Sequence, residues 1–279
     1  MANIVIIPVF NEETHIEDVI KKVRENTDSD ILVINDGSTD KSLKIIRSLG
    51  VKEFRGHGVN SSTPQFLNLL THSENQGYGK TLIDGFNFAI SNNYRLAVTI
   101  DCDEQHEPHL ISTFIEEINL PASRCKASQQ REPSPSFVRR GEGRSVDIVS
   151  GSRYLKEHST NNPPPLDRKQ INDEITKIIN RITGYNLTDS FCGFKAYKVD
   201  SLRKLKLTEW GYGMPLQLWI QAWNRGFTIK EYPIGRIYKN LDRSFGKEMD
   251  VPEKRLAYYK KIIETEAARF KTQDASLET

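Results

Sequence analysis

Four short apolar runs, each closed by a polar cluster, constrain this chain more than any other feature. Asn3 to Ile7 stops at Pro8, and Asn11-Glu12-Glu13 then opens a helical pattern through about Glu25. Asp30 to Ile34 ends at Asn35-Asp36-Gly37-Ser38-Thr39-Asp40, where Ser38 is placed to cap a helix running towards Leu49. Another helix follows Gln76-Gly77-Tyr78-Gly79, with Leu82, Phe86, Ala89 and Ile90 at helical spacing. Leu96 to Ile100 and Asp147 to Ser150 are the third and fourth runs. Apolar strands alternating with helices predict an α/β fold, a mostly parallel central sheet flanked by helices on both faces. Ligands of such sheets bind beyond the carboxyl ends of the strands. The polar clusters after Ile7, Ile34 and Ile100 are therefore expected to converge on one site.

Two stretches break the rhythm and read as insertions or loops. Residues 54–73 are polar and start without periodicity, and residues 121–146 carry six basic and two acidic side chains among Ser, Pro and Gln. The second reads as a solvated insertion in preference to an anion-binding surface. After Asn161-Asn162-Pro163-Pro164-Pro165 comes a helix from about Arg168 to Thr183. A last helical segment, Pro252 to Lys271, carries Leu256, Tyr259, Ile263, Ala267 and Phe270 on one stripe, flanked by Lys254, Arg255, Lys260 and Lys261. That stripe could lie on a membrane, but packing on its own domain is the preferred reading. The expected division is a catalytic domain over residues 1–250 and a C-terminal amphipathic helix and tail over 251–279.

Composition excludes several classes. With 39 Lys and Arg against 37 Asp and Glu, the 279-residue chain is nearly neutral, which argues against a dedicated nucleic-acid binder. No run approaches the roughly 18 apolar residues that span a bilayer. The N-terminus runs straight into a strand without the regions of a signal peptide. Cys102, Cys125 and Cys192 are odd in number and far apart, so a disulfide framework is not expected and a cytoplasmic location is. Gly79-Lys80-Thr81 suggests a phosphate-binding loop, but the required first glycine falls at Glu74. A Rossmann oxidoreductase fails similarly, because no Gly-x-Gly-x-x-Gly follows Ile7.

Asp101-Cys102-Asp103 is the sharpest chemical signal. Alternation at the end of a buried strand would put both carboxylates on one side of the chain. Two hard oxygen ligands there suit Mg²⁺ or Mn²⁺, which also takes oxygens from a substrate phosphate. His106 reads as an ordering or packing residue, since no second His lies at ligand spacing.

The segments 4–12 (IVIIPVFNE), 31–40 (ILVINDGSTD), 75–86 (NQGYGKTLIDGF), 98–108 (VTIDCDEQHEP) and 147–154 (DIVSGSRY) arrive in one order that resembles family 2 glycosyltransferases of the GT-A fold. The nearest branch is similar to the dolichyl-phosphate, or polyprenyl-phosphate, mannosyltransferases. The resemblance continues through TDSFCGFKAY (188–197) and Tyr232-Pro233-Ile234. It implies a donor site bordered by Pro8, Asn11, Glu12 and Asp36, with Gly79, Lys80 and Asp101 beside them. It implies a metal, Mg²⁺ or Mn²⁺, on Asp101 and Asp103, with Gln105 able to join its shell. Asp189 would lie near the reacting sugar, and Arg243 would meet phosphate oxygens. Arg168, Lys169, Arg181, Lys195 and Lys247 are candidate contacts to an acceptor phosphate. The branch usually has Arg where this chain has Lys195, and Ser-Lys where Lys247 directly follows Gly246.

The implied reaction inverts the anomeric carbon. A lipid monophosphate, with a second pKa near about 6, offers its own oxyanion at neutral pH, whereas a sugar hydroxyl needs a positioned carboxylate. The resemblance implies that family members acting on hydroxyls carry an acidic base near the start of the helix after the Gly-rich turn. Here Gly211 to Gln217 has no carboxylate after Glu209, which favours the phosphate acceptor, although Glu209 or Asp189 remains available as a base. The leading expectation is transfer of a hexose from a nucleotide-sugar donor to polyprenyl or dolichyl phosphate. GDP-mannose is favoured as donor and UDP-glucose comes next. Transfer to a glycan or small-molecule hydroxyl and a non-catalytic nucleotide-sugar binding module are the alternatives. A lipid acceptor further implies peripheral contact with a membrane, to which a membrane-embedded partner could supply the anchor.

Overall fold

A computed structural model describes residues 2–54, 67–120, 145–156, 163–235, 237, 245–246 and 248–275. The first element, β1 (Asn3–Val9), is followed by α1 (Ile16–Asn26), β2 (Asp30–Asp36) and α2 (Ser42–Ser48). Then come β3 (Lys52–Phe54), β4 (Leu67–His72), α3 (Tyr78–Ser91), β5 (Leu96–Thr99) and α4 (Ile111–Glu117). The rest consists of β6 (Ile148–Ser152), α5 (Leu166–Thr183), β7 (Lys195–Lys198), α6 (Val199–Leu202), α7 (Met214–Asn224), β8 (Ile229–Pro233) and α8 (Pro252–Ala275).

The eight strands form one sheet in the order β3-β4-β2-β1-β5-β7-β6-β8. Only β7 runs against its neighbours β5 and β6; every other pairing is parallel. Strand alternation sorts the apolar residues between two layers. Ile4 and Ile6 with Leu32 and Ile34 face one layer, which α3, α5, α7 and α8 cover. Val5 and Ile7 with Ile31 and Val33 face the other, beneath α1, α2 and α4. Complete burial of each such side chain contributes about 1.5–3 kcal/mol. The expected mostly parallel sheet with helices on both faces is therefore what the chain forms.

Several local expectations are corrected. The 54–73 stretch was expected to be an insertion, yet residues 67–72 are β4, paired along its whole length with β2. Its Leu69 and Leu70 are core residues, and only Leu67, Leu69 and Leu70 are apolar along a strand that follows a polar stretch. Residues 55–66 and 121–144 of the two expected insertions lie outside the described residues. Ser38 does not cap α2. Asp40 accepts the Ser42 N–H at 2.9 Å, while the Ser38 hydroxyl accepts the Asn11 N–H at 3.0 Å. Pro8 does not end β1 but lies inside it, buried and in register with Ile34. Its β5 neighbour ends at Thr99 opposite Ile6, so the missing N–H falls beyond that pairing.

The stripe on α8 packs inward as preferred. Tyr259 and Ile263 are buried, with Leu256 and Phe270 packed against the same core. Polar ties fix its position: Arg255 reaches Asp167 at 2.5 Å, and buried Glu266 accepts from Gln217 and Gln221, each at 2.8 Å. Among the described residues no helix is long and apolar enough to cross a membrane.

Candidate active site

Because β6 and β8 run the same way as β1, β2, β4 and β5, the carboxyl ends of all six strands share one edge of the sheet. Along that edge the loops after β1 and β2 are pinned together. Asn11, held at φ 56°, accepts the Thr39 N–H on its side-chain oxygen at 2.8 Å, and the Glu12 N–H donates to the Ser42 hydroxyl at 2.8 Å. Asn11 and Glu12 thus lie at that edge.

Asp36 occupies a different position from the one expected. It is buried, and its carboxylate accepts the N–H groups of Gln76 and Gly77 at 2.9 Å each and bonds the His72 imidazole at 2.6 Å. His72 reaches on to Asp84 at 2.9 Å, and Lys80 closes the chain by an ion pair to Asp84. Burial opposes a charge on His72, but the hydrogen bonds and charges of Asp36 and Asp84 outweigh it and push the imidazole up to about 9. Burial likewise opposes the Asp84 charge, and His72 and Lys80 overcome it to hold that carboxyl below its usual range. Asp36 and Lys80 therefore build the turn into α3 instead of standing open to a ligand. Gly79 has a packing role: a Cβ there would collide with the Glu209 and Gly211 carbonyl oxygens, so glycine lets α3 seat against the 209–211 segment.

The two acidic residues of the Asp101-Cys102-Asp103 triplet follow β5, but strand alternation does not place them, since β5 ends at Thr99. They sit in a bend in which Glu104 adopts φ 55° and Asp103 accepts the Gln105 N–H at 3.1 Å. Asp101 is held from two sides, by the Tyr78 hydroxyl at 2.9 Å and by His106 Nε2 at 3.1 Å. His106 is thus an ordering residue, as read from the sequence. On a third side stands Gly193, where any Cβ would run into the Asp101 carboxylate. Among the described residues no three His, Cys, Asp or Glu side chains form a ready metal cage. Two hard carboxylates in one bend fit an ion that completes its shell with phosphate and water oxygens. Gln105 enters this arrangement through its main-chain N–H.

Across the sheet, Asp189 is fully buried. Arg153 forms a two-pronged ion pair with it, Nε at 2.6 Å and Nη2 at 2.9 Å. Burial works to raise the Asp189 pKa, and the Arg153 charge outweighs it and holds the carboxyl below its usual range. Asp189 therefore holds Arg153 and is not exposed to a sugar, which corrects its expected role. Arg153, with 18% of its side chain exposed, lies against the Tyr154 ring at 5.6 Å, and the Lys169 ammonium contacts the same ring at 4.7 Å. Lys169 also pairs with Asp173, and Arg168 stacks on Phe245 at 5.0 Å.

Lys195 and Arg181 depart from expectation. Lys195 is 2% exposed, bonded to the Cys192 carbonyl and set over the Trp219 ring, and burial lowers its pKa. Nothing bound at the surface reaches it. Arg181 lies thirteen positions along α5 from Arg168, about 20 Å at the helical rise. Arg243 and Lys247 lie outside the described residues.

Several contributors escaped the sequence reading. Tyr78, Arg153 and Gly193 stand inside quoted motifs without an assigned role. His72 and Glu231 carry no local signal, because their partners are 36 and 43 residues away. Asn35 is also buried, and neither its amide oxygen nor its nitrogen has a partner; the Thr71 hydroxyl, in register with it on β4, is likewise unpartnered. A polar residue closing an apolar run was the only hint.

A family model described as glycosyl transferase family 2 matches residues 4–206. The chain is 27% identical, over 86% of its length and 88% of the relative's, to a UDP-N-acetylglucosamine–dolichyl-phosphate N-acetylglucosaminyltransferase of Methanococcus voltae. It is 25% identical to an undecaprenyl-phosphate mannosyltransferase of Micrococcus luteus, over 88% of this chain and 87% of that one. Among solved structures it resembles glucosyl-3-phosphoglycerate synthase of Mycobacterium tuberculosis in complex with Mn²⁺, UDP and glucosyl-3-phosphoglycerate. That likeness has a TM-score of 0.64 at 15% identity, covering 96% of this chain and 80% of that one.

Proposed function

Because the chain belongs to glycosyl transferase family 2, we propose that it transfers a hexose, with mannose favoured, from a nucleotide-diphosphate sugar to a polyprenyl or dolichyl phosphate. The observation that carries the acceptor is the fate of the two carboxylates available as bases. Asp189 is spent on Arg153, and Glu209 on the Gly211 N–H at 2.9 Å and the Tyr258 hydroxyl. A sugar hydroxyl would need one of them free to take its proton. A phosphate monoester brings its own oxyanion and needs cations, which Arg153, Lys169 and Arg168 supply beside Tyr154. Leu155 and Leu166, both exposed next to these cations, suit the first isoprene units of a lipid. The relatives named for dolichyl and undecaprenyl phosphate support the same reading.

On the donor side, Asn11 and Glu12 border the nucleotide. Asp101 and Asp103 would hold Mg²⁺ or Mn²⁺, which when bound offsets the charge developing on the departing nucleoside diphosphate. Tyr78, His106 and the bare backbone at Gly193 keep Asp101 oriented for that task. Access to a lipid substrate places the protein peripherally at a membrane surface.

Incubation with Mn²⁺, polyprenyl phosphate and, in separate reactions, GDP-mannose, UDP-glucose or UDP-N-acetylglucosamine tests the reading. Acid-labile lipid-linked mannose is the expected product. Transfer only to a hydroxyl acceptor, or donor binding with no turnover, would overturn it.

A further inference from the structure

Glu231 reaches the 188–189 turn from β8, a strand at one end of the sheet. Its two oxygens each accept the Thr188 N–H at 2.9 Å, one accepts the Thr188 hydroxyl at 2.9 Å, and one accepts the Asp189 N–H at 3.0 Å. One carboxylate thereby gathers both main-chain donors of a two-residue turn. The turn orients Asp189, and Asp189 grips Arg153 by two side-chain bonds and accepts the Arg153 main-chain N–H at 3.3 Å. The Thr188 hydroxyl also meets Ser152 at 2.5 Å, so the turn is tied to the strand end that carries Arg153.

We propose that Glu231 is a positioning residue for the acceptor: by clamping the Thr188–Asp189 turn it sets the direction of the Arg153 guanidinium at the mouth of the site. The inference rests on the reading of Arg153 as an acceptor-phosphate contact. A purely structural carboxylate would change stability alone. A positioning one changes how the acceptor binds and leaves the donor side, on the other half of the sheet, as it was.

The test uses the full chain and the donor that the wild type turns over. Glu231→Gln puts an N–H where the turn needs an acceptor, and the acceptor KM is expected to rise about tenfold or more with the donor KM unchanged. Thr188→Val, which removes one of the clamped donors and keeps the side-chain shape, serves as a gentler second variant with a shift in the same direction. In a double-mutant cycle, Glu231→Gln added to Arg153→Met should cost little beyond Arg153→Met alone, because Glu231 acts through Arg153. Fully additive losses, an unchanged acceptor KM in both Glu231→Gln and Thr188→Val, or an equal rise in both KM values would overturn the inference while wild-type transfer to polyprenyl phosphate stands. A wild type that makes no lipid-linked sugar overturns the acceptor reading itself, and this inference with it.

Discussion

The two halves of the sheet, one proposed to bind the donor and the other the acceptor, solve the same problem with the same device. In each, one carboxylate takes two consecutive main-chain N–H groups and so fixes a turn at the edge of the site. Asp36 does this for Gln76 and Gly77, and Glu231 for Thr188 and Asp189. The halves differ in what surrounds the clamp. Asp36 is answered by the His72 imidazole, which is pushed up to about 9 and is therefore positive at neutral pH. Glu231 has Asp189 beside it, a charge of its own sign, and burial first and that neighbour in addition push its carboxyl up to about 7. The donor clamp is locked by opposite charges, whereas the acceptor clamp sits near its own titration point.

The comparison can be broken at the junction between the halves, where the effects are largest. Asp101→Asn should lower kcat by about 10³-fold, the scale of losing a major electrostatic contact to the transition state, with the fold intact by circular dichroism. Gly193→Ala leaves the chemistry of every proposed site residue unchanged but drives a methyl group into Asp101, which must shift. A loss of about 10²-fold in kcat is expected, the usual cost of a misplacement near 1 Å, measured in the same transfer assay.

Stability against pH sharpens the difference between the clamps. His72 has a raised folded pKa, so its contribution is fully present below about 6.5 and is lost as pH rises through about 9. At about 1.4 kcal/mol per pKa unit the loss amounts to roughly 3 kcal/mol. Urea midpoints should fall across that window and flatten in His72→Gln. Glu231 is raised as well, so its contribution is present below about 4.5 and lost as pH rises through about 7. Glu231→Gln should remove the lower slope and leave the upper one. The smallest effect expected is that of Tyr258→Phe, which takes one hydrogen bond from Glu209 and should cost about 1 kcal/mol by thermal melting without altering transfer.

How much of this was legible depends on the range over which each residue acts. β1, β2, β5 and β6 announced themselves because apolar runs with abrupt polar ends are local signals, as were Asp101 and Asp103. β4 was missed because its apolar content is confined to a few positions after a polar stretch. Lys195 was misplaced for a related reason: a lysine in a quoted motif reads as a surface cation, and only the packing of Trp219 and the Cys192 carbonyl shows it to be interior. Asp36 and Asp189 stand out in the sequence as polar ends of motifs, but their surroundings are set by His72 and Arg153, each 36 residues distant. No spacing rule reaches partners that only strand order brings together.

The reversed strand β7 brings the acceptor turn back against β5, so that the backbone at Gly193 abuts the carboxylate of Asp101. Gly193 lies four positions after Asp189, so one short segment abuts Asp101 at one end and holds Arg153 at the other. Where two ligands lean on a shared segment, linkage is reciprocal: whatever factor donor occupancy adds to acceptor affinity, acceptor occupancy must return to the donor. Titrating each substrate in the presence of the other reads that factor directly.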